Sequence, residues 1–240
     1  MKWFTSNGLS LNASKTQNLN FSLRKVPGIL PTDASAQFLG VHLDPGLTWR
    51  EHVAHLTARL SSIVYLMRNL SRVVSHSTLM SAYHGYFSSS MNYALLNWGH
   101  SAHAKEVFGL QRRCIRIIAG LGYRDCCRCC FTSLGVLTLP CTYILLCLMH
   151  IKLNQHLFTE HKCMHNYPTR GGSNIVPEFF RLGKARTGTT YFGVRFFNVL
   201  PLAFRGLAAE QFRKGMRRYL VAKAFYSFAE YLDNDFSDLT

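Results

Sequence analysis

Acidic side chains are scarce in this chain of 240 residues: 12 Asp and Glu stand against 27 Lys and Arg, a net charge of +15. A two-metal polymerase or nuclease centre needs carboxylates close together on rigid elements, to hold cations about 3.5–4 Å apart. Asp33, Asp44 and Glu51 are scattered over strand, turn and helix start, and the one acidic cluster, Asp233, Asp235 and Asp238, reads as a solvated tail. Hydrolase signatures are missing as well: there is no Gly-x-Ser-x-Gly elbow and no His-Glu-x-x-His helix. The start, Met1 to Gly8, lacks a charged region, an apolar run and a cleavage site, so it is not a secretory signal. The 8 cysteines are therefore expected as thiols in a reducing, intracellular compartment. One uncharged run, Cys129 to Ile151, is long enough to cross a bilayer, but Gly135 and Pro140 interrupt its first half. It reads as a loop followed by a buried helix, with no membrane span.

What is present is positive charge with little to neutralise it. Such a surface favours a polyanion such as nucleic acid, or anionic lipid, although a merely basic protein has the same composition. Leu19, Phe21 and Leu23 alternate with polar residues, as do Leu39, Val41 and Leu43, the period of half-buried strands. Pro27, Gly28 and Pro31 mark the connection between them. Paired, the two strands make a ribbon, which is marginal by itself in water.

After Pro45-Gly46 the period changes. Thr48 and Glu51 are spaced as a capping box, and Val53, Leu56, Leu60, Ile63, Met67 and Leu70 fall on one helical stripe. A second helix is expected from Ser77 to Asn97, with Leu79, Tyr83, Tyr86 and Tyr93 as buried candidates. A third runs from Lys105 to Ala119 and stops at Gly120. Its stripe is Val107, Leu110, Cys114, Ile117 and Ile118, with Arg112, Arg113 and Arg116 projecting elsewhere. Pro140 can open a fourth helix. A long connection follows from His156 to Arg186, and a last helix spans Ala208 to Leu232 with Phe212, Met216, Leu220 and Phe225 facing in. The fold class expected is mainly α, with a short N-terminal β-ribbon.

Two constellations are chemically suggestive, and each has a plain alternative. Cys126 and Cys129 have the two-residue gap that zinc favours, with His161, Cys163 and His165 downstream; the alternative is a set of reduced thiols. Arg112, Arg113 and Arg116, together with Arg213, Lys214, Arg217 and Arg218, can contact a phosphate backbone with nearby aromatics stacking on bases; the alternative is the polar face that any amphipathic helix needs.

The order of several motifs resembles the end of the reverse transcriptase domain of non-LTR, LINE-type retrotransposons, jockey-like elements in particular. They are Trp3, Asn7-Gly8-Leu9, Leu11-Asn12, Lys15-Thr16, Phe38-Leu39-Gly40-Val41-His42-Leu43-Asp44 and Leu47-Thr48-Trp49-Arg50-Glu51-His52. Trp98-Gly99, Leu110-Gln111-Arg112-Arg113, Arg116-Ile117-Ile118-Ala119-Gly120, Leu137-Thr138-Leu139-Pro140, Tyr167-Pro168-Thr169-Arg170 and Phe197-Asn198-Val199-Leu200-Pro201 continue the series. The resemblance implies a palm remnant over 1–47, a thumb-like helical region over 48–122, and a further helical region over 123–240 with a long loop near 156–190. It implies that Lys15 stands near the incoming nucleotide as general acid for departing pyrophosphate. It places Leu39, Gly40 and Val41 in the primer grip, and gives Arg112, Arg113 and Arg116 an RNA template and DNA primer as partner.

The same resemblance sets out what is missing. The paired catalytic aspartates and the magnesium of the parent enzyme would belong to a polymerase part preceding Met1, which reads as an internal methionine of a truncated copy. Cys127 matches the family's one cysteine in this region, so the extra Cys126, Cys129 and Cys130 read as drift, with no metal bound. The chain is then expected to contribute template-primer binding without polymerase activity. The alternative is a stand-alone basic helical protein that binds nucleic acid.

Overall fold

Residues 2–12, 15–21, 35–163, 172–179, 183 and 186–239 are described by the computed structural model of the chain. The fold is mainly helical, with a two-stranded antiparallel sheet near the N-terminus. It divides into two units, one within residues 1–55 and one within 56–240.

In the first unit, one helical turn, α1 (Lys2–Ser6), precedes a tight hairpin of β1 (Ala36–Phe38) and β2 (Val41–Leu43). The register pairs Ala36 with Leu43, Gln37 with His42 and Phe38 with Val41. The turn residues Leu39 and Gly40 have φ of 49° and 77°, the positive pair that a two-residue hairpin loop requires. This corrects the expected pairing of 39–43 with an earlier strand: Leu39 sits in the turn, and its alternation with Val41 spans turn and strand. Residues 16–21 form no strand, while Leu23, Pro27, Gly28, Pro31 and Asp33 lie outside the described residues.

The expected capping box is also corrected. The Asp44 carboxylate accepts the N–H groups of Thr48 and Trp49, each at 3.0 Å, and helix α2 (Arg50–Leu70) begins one residue later. Thr48 Oγ1 accepts the Arg50 N–H at a long 3.5 Å. A carboxylate four residues upstream is the stronger acceptor for helix-start donors, so the cap moves from Thr48 to Asp44. Trp49, at the cap position, has a φ of 63°, and its indole is buried.

In the second unit, α2 buries Leu56, Leu60, Val64 and Met67, with Val64 taking the place expected for Ile63. The helix expected over 77–97 is broken. Ser75 caps α3 (His76–Ala82), a π-helical turn occupies Tyr83–Ser88, and α4 (Ser89–Asn92) follows. Tyr93 is extended and Ala94 left-handed (φ 51°) before α5 (Leu95–Trp98). The π turn adds a residue to the repeat, which rotates Phe87 and Met91 into the core and leaves Tyr86 and Tyr93 exposed.

Helix α6 (Ala104–Ile118) ends at Gly120, which adopts φ 69°, as its sequence implies. Within the stretch read as loop, α7 (Arg128–Ser133) is helical and buries Phe131. Thr138 then caps α8 (Leu139–Leu153), accepting the Cys141 N–H at 3.2 Å and donating to the Phe225 carbonyl at 2.6 Å. Nearly every face of α8 is buried, as a helix apolar all round requires. It packs against α5, α9 (Thr189–Asn198) and, beyond α10 (Leu202–Arg205), α11 (Ala209–Lys223). No helix among the described residues is long and apolar enough to cross a membrane.

Helix α9 was not anticipated, although its Phe192 and Phe196 stand four residues apart; it packs on α8, where the Phe192 ring centre lies 6.4 Å from that of Tyr143. The last expected helix breaks at Ala224 (φ 45°), where α11 ends. Its continuation, α12 (Phe228–Leu232), carries its own cap: Ser227 accepts the Glu230 N–H and Glu230 accepts the Tyr226 N–H. Arg205 fastens the connection before α9. Its guanidinium donates to the carbonyls of Leu200 and Asn198 at 2.7 Å and to Asn174 Oδ1 at 3.0 Å.

Candidate nucleic-acid interface

Helix α6 exists because Val107, Leu110, Cys114 and Ile118 repeat at helical spacing and bury one face. That leaves Arg112, Arg113 and Arg116 at its flank, all partly exposed. After Gly120 the chain turns back and is fastened to the same helix. The Leu121 N–H donates to the Arg116 carbonyl at 2.9 Å, and Arg116 Nε donates to the Asp125 carbonyl at 2.7 Å. Within the turn, the Gly122 N–H meets Asp125 Oδ2 at 2.7 Å. A Cβ at Gly122 would stand 3.0 Å from that oxygen, so a side chain there would crowd the Asp125 carboxylate.

The result is a groove of about 540 Å³ lined by Thr57, Glu106, Gly109, Leu110, the three arginines and Tyr123. Three permanent positive charges face one carboxylate, and Glu106 is itself paired with His103 at 3.1 Å. The arginines are not equivalent. The Arg112 guanidinium lies 5.1 Å from the Phe108 ring centre and 5.9 Å from that of Tyr226, with its Nε buried, so part of its role is packing. Arg113 lies 5.6 Å from the ring centre of Tyr123, and Arg116 keeps its two terminal nitrogens for solvent or ligand while Nε holds the turn.

The other expected site residues lie in the first unit. Lys15 is exposed, its N–H bonded to the Asn12 carbonyl at 3.2 Å. Two residues on, Gln17 accepts the Gln37 N–H at 3.0 Å, which ties this segment to β1. At the hairpin tip Leu39 is 73% exposed, Gly40 is exposed and Val41 is buried. On α11, Arg213 and Lys214 share Glu210 and Arg217 reaches the Gly135 carbonyl at 3.5 Å.

The cysteines divide by environment. Cys114 and Cys147 are buried and pushed up to about 12, and Cys141 to about 11. Cys127 is buried with its sulfur 3.6 Å from the Tyr226 hydroxyl, whereas Cys126 and Cys129 are exposed. Burial and then the neighbouring Cys129 raise the Cys130 thiol. Among the described residues no three His, Cys, Asp or Glu side chains come together to hold a metal ion; His165 and residues 167–170 lie outside them. Among the described residues, Asp44 is engaged by the N–H groups of Thr48 and Trp49, and Glu210 by two cations.

Sequence reasoning missed Tyr123 and Gly109 as groove residues. Tyr123 lies in a turn with no period to mark it, and Gly109 is legible only as a gap in a helix flank.

No protein-family model and no solved structure matches the chain. Over 134 residues, 50% of the chain, it is 27% identical to the probable RNA-directed DNA polymerase from the X-element transposon of Drosophila melanogaster. The matched stretch spans 14% of that protein's length. Half of this chain is thus similar in sequence to part of a transposon polymerase, which supports a reverse-transcriptase-related region.

Proposed function

We propose that the chain is the palm-edge and thumb segment of a non-LTR retrotransposon reverse transcriptase, one that grips template-primer nucleic acid and leaves catalysis to carboxylates outside it. The observation that carries this is the arginine groove on α6, in a chain of net charge +15 that is similar to a transposon polymerase. Arg113 and Arg116 bind phosphate oxygens, Arg112 supports them from behind, and binding releases counterions. In the first unit, the β1–β2 tip is the primer grip: Gly40 has no side chain to hold a second backbone away, Leu39 is exposed beside it, and Val41 anchors the turn. Lys15 is the proton donor to departing pyrophosphate. Residues 1–47 are then palm, 48–122 thumb and 123–240 the helical region that follows, while magnesium belongs to the parent enzyme's aspartates.

Primer extension with this chain alone tests the division of labour. No nucleotide incorporation is expected, together with template-primer binding in low salt that the Arg113→Glu/Arg116→Glu variant weakens at least tenfold. Incorporation would refute the assignment of catalysis elsewhere, and unaltered binding by the variant would refute the groove. The uncompensated charge also favours a second reading, a stand-alone nucleic-acid-binding protein. The reading frame upstream of Met1 separates the two, because a Tyr-x-Asp-Asp-like motif there restores the enzyme.

A further inference from the structure

The groove on α6 holds an aromatic side chain that phosphate binding does not need. Tyr123 is 71% exposed, yet its turn is held by four hydrogen bonds: Leu121 N–H to Arg116 carbonyl (2.9 Å), Gly122 N–H to Asp125 Oδ2 (2.7 Å), Asp125 N–H to Gly122 carbonyl (3.2 Å) and Arg116 Nε to Asp125 carbonyl (2.7 Å). Fastening the turn in advance reduces the entropy lost when a ligand binds. One face of the ring is turned toward the Arg113 guanidinium, 5.6 Å from its centre. The rest is open beside Arg113 and Arg116, which stand one helical turn apart.

We propose that this groove takes an unpaired strand of nucleic acid, with a base stacked on Tyr123 and the adjoining phosphates on Arg113 and Arg116. In a duplex each base has its faces covered by its neighbours, so a tyrosine beside the phosphates gains little. An unpaired base offers an open face, and stacking on an aromatic side chain tolerates any sequence. The inference rests on the reading of the α6 groove as a nucleic-acid interface and adds the class of ligand. Contact through the arginines makes binding salt-dependent; contact through Tyr123 does not, since stacking releases no counterions.

Fluorescence anisotropy with the full chain tests it, using a labelled oligothymidylate of 20 residues and a blunt DNA duplex of the same length. Tyr123→Ala is expected to weaken single-strand binding roughly 10-fold, to leave duplex binding within about twofold and to keep the salt slope. Tyr123→Phe keeps the ring and is expected to retain wild-type affinity. Circular dichroism confirms the fold of each variant, which the exposure of Tyr123 favours. If Arg113→Glu/Arg116→Glu abolishes binding while Tyr123→Ala changes neither ligand, or both equally, the stacking inference is overturned and the groove reading stands. If the charge reversal changes nothing, the groove reading fails and the inference with it. Loss of affinity in Tyr123→Phe equal to that of the alanine variant also overturns stacking.

Discussion

Gln111 sits in the run Leu110-Gln111-Arg112-Arg113 as though it were one more polar member of a binding motif, yet it is fully buried. Its amide donates to the Tyr83 hydroxyl and the Leu137 carbonyl, each at 3.0 Å, and accepts the Leu139 N–H at 2.8 Å. It joins three elements at a point where water cannot replace it. Gln111→Leu strands three polar groups at about 1–3 kcal/mol each, so a loss of at least about 3 kcal/mol is expected in urea denaturation followed by circular dichroism. The thiols make a second test at this scale. Cys126 and Cys129 are expected to react with a thiol reagent in the native state at pH 8, while Cys114, Cys141 and Cys147, buried and shifted upward, react only after unfolding. Mass spectrometry of the labelled peptides reads the order, and early labelling of Cys147 would contradict the packing of α8.

Between elements, α9 comes close enough to α8 to leave no room for a side chain at Gly193. A Cβ at Gly193 would lie 2.8 Å from Ile151 Cγ1 and 3.3 Å from the Cys147 carbonyl. Gly193→Val is therefore expected to cost about 1–3 kcal/mol or more through overpacking, read as a lower thermal midpoint. Gly99 has the same function against Tyr143, whose Cδ2 leaves no room for a side chain, which gives a structural reason for a glycine in Trp98-Gly99. At the hairpin-to-helix corner of the first unit, the ring of His42 stacks on that of His55 at 4.0 Å, with His52 6.5 Å away. Burial first, and then the neighbouring imidazoles, lowers the pKa of His42 and of His52 below the ordinary 6.5, against a smaller opposing effect of Glu51 on His42. In the unfolded chain these groups take up protons at higher pH than in the folded one. The stability from their neutral forms is thus complete above about 6.5 and declines as pH falls below it. Denaturation midpoints at pH 7.5 and 5.5 are expected to show the loss, and His42→Gln to reduce it.

At the scale of the whole molecule, four glutamates among the described residues are paired: Glu106 with His103, Glu160 with Lys162, Glu210 with Arg213 and Lys214, and Glu230 with Arg128. Such exposed pairs add little stability, and with 27 Lys and Arg against 12 Asp and Glu the chain keeps a net charge of +15. The protein is expected to carry nucleic acid through purification at low salt and to lose it in about 1 M salt, seen as a fall in the 260 to 280 nm absorbance ratio. For single strands each phosphate contact contributes roughly 0.7 to the slope of log affinity against log salt. Arg113→Glu/Arg116→Glu should accordingly flatten that slope by about 1 to 2.

The amphipathic helices α2 and α6 and the all-apolar α8 were legible because each carries its signal locally: an apolar stripe, Gly120, Pro140. The net charge and the three arginines of the groove are equally a matter of sequence. Asp44 as cap, the π turn at Tyr83–Ser88 and the breaks at Ala94 and Ala224 were not. Each replaces a locally favoured continuation with a strained or irregular one, and the surrounding packing stabilises that choice. The same holds for the candidate site. Sequence determined that α6 presents Arg112, Arg113 and Arg116, but only the tertiary structure decided that Arg112 lies against Phe108 and Tyr226 and that Tyr123 joins Arg113 and Arg116. A helix fixes which residues share its flank, whereas what stands opposite that flank depends on how the turn after Gly120 closes on Arg116 and on Tyr226, which is distant in sequence.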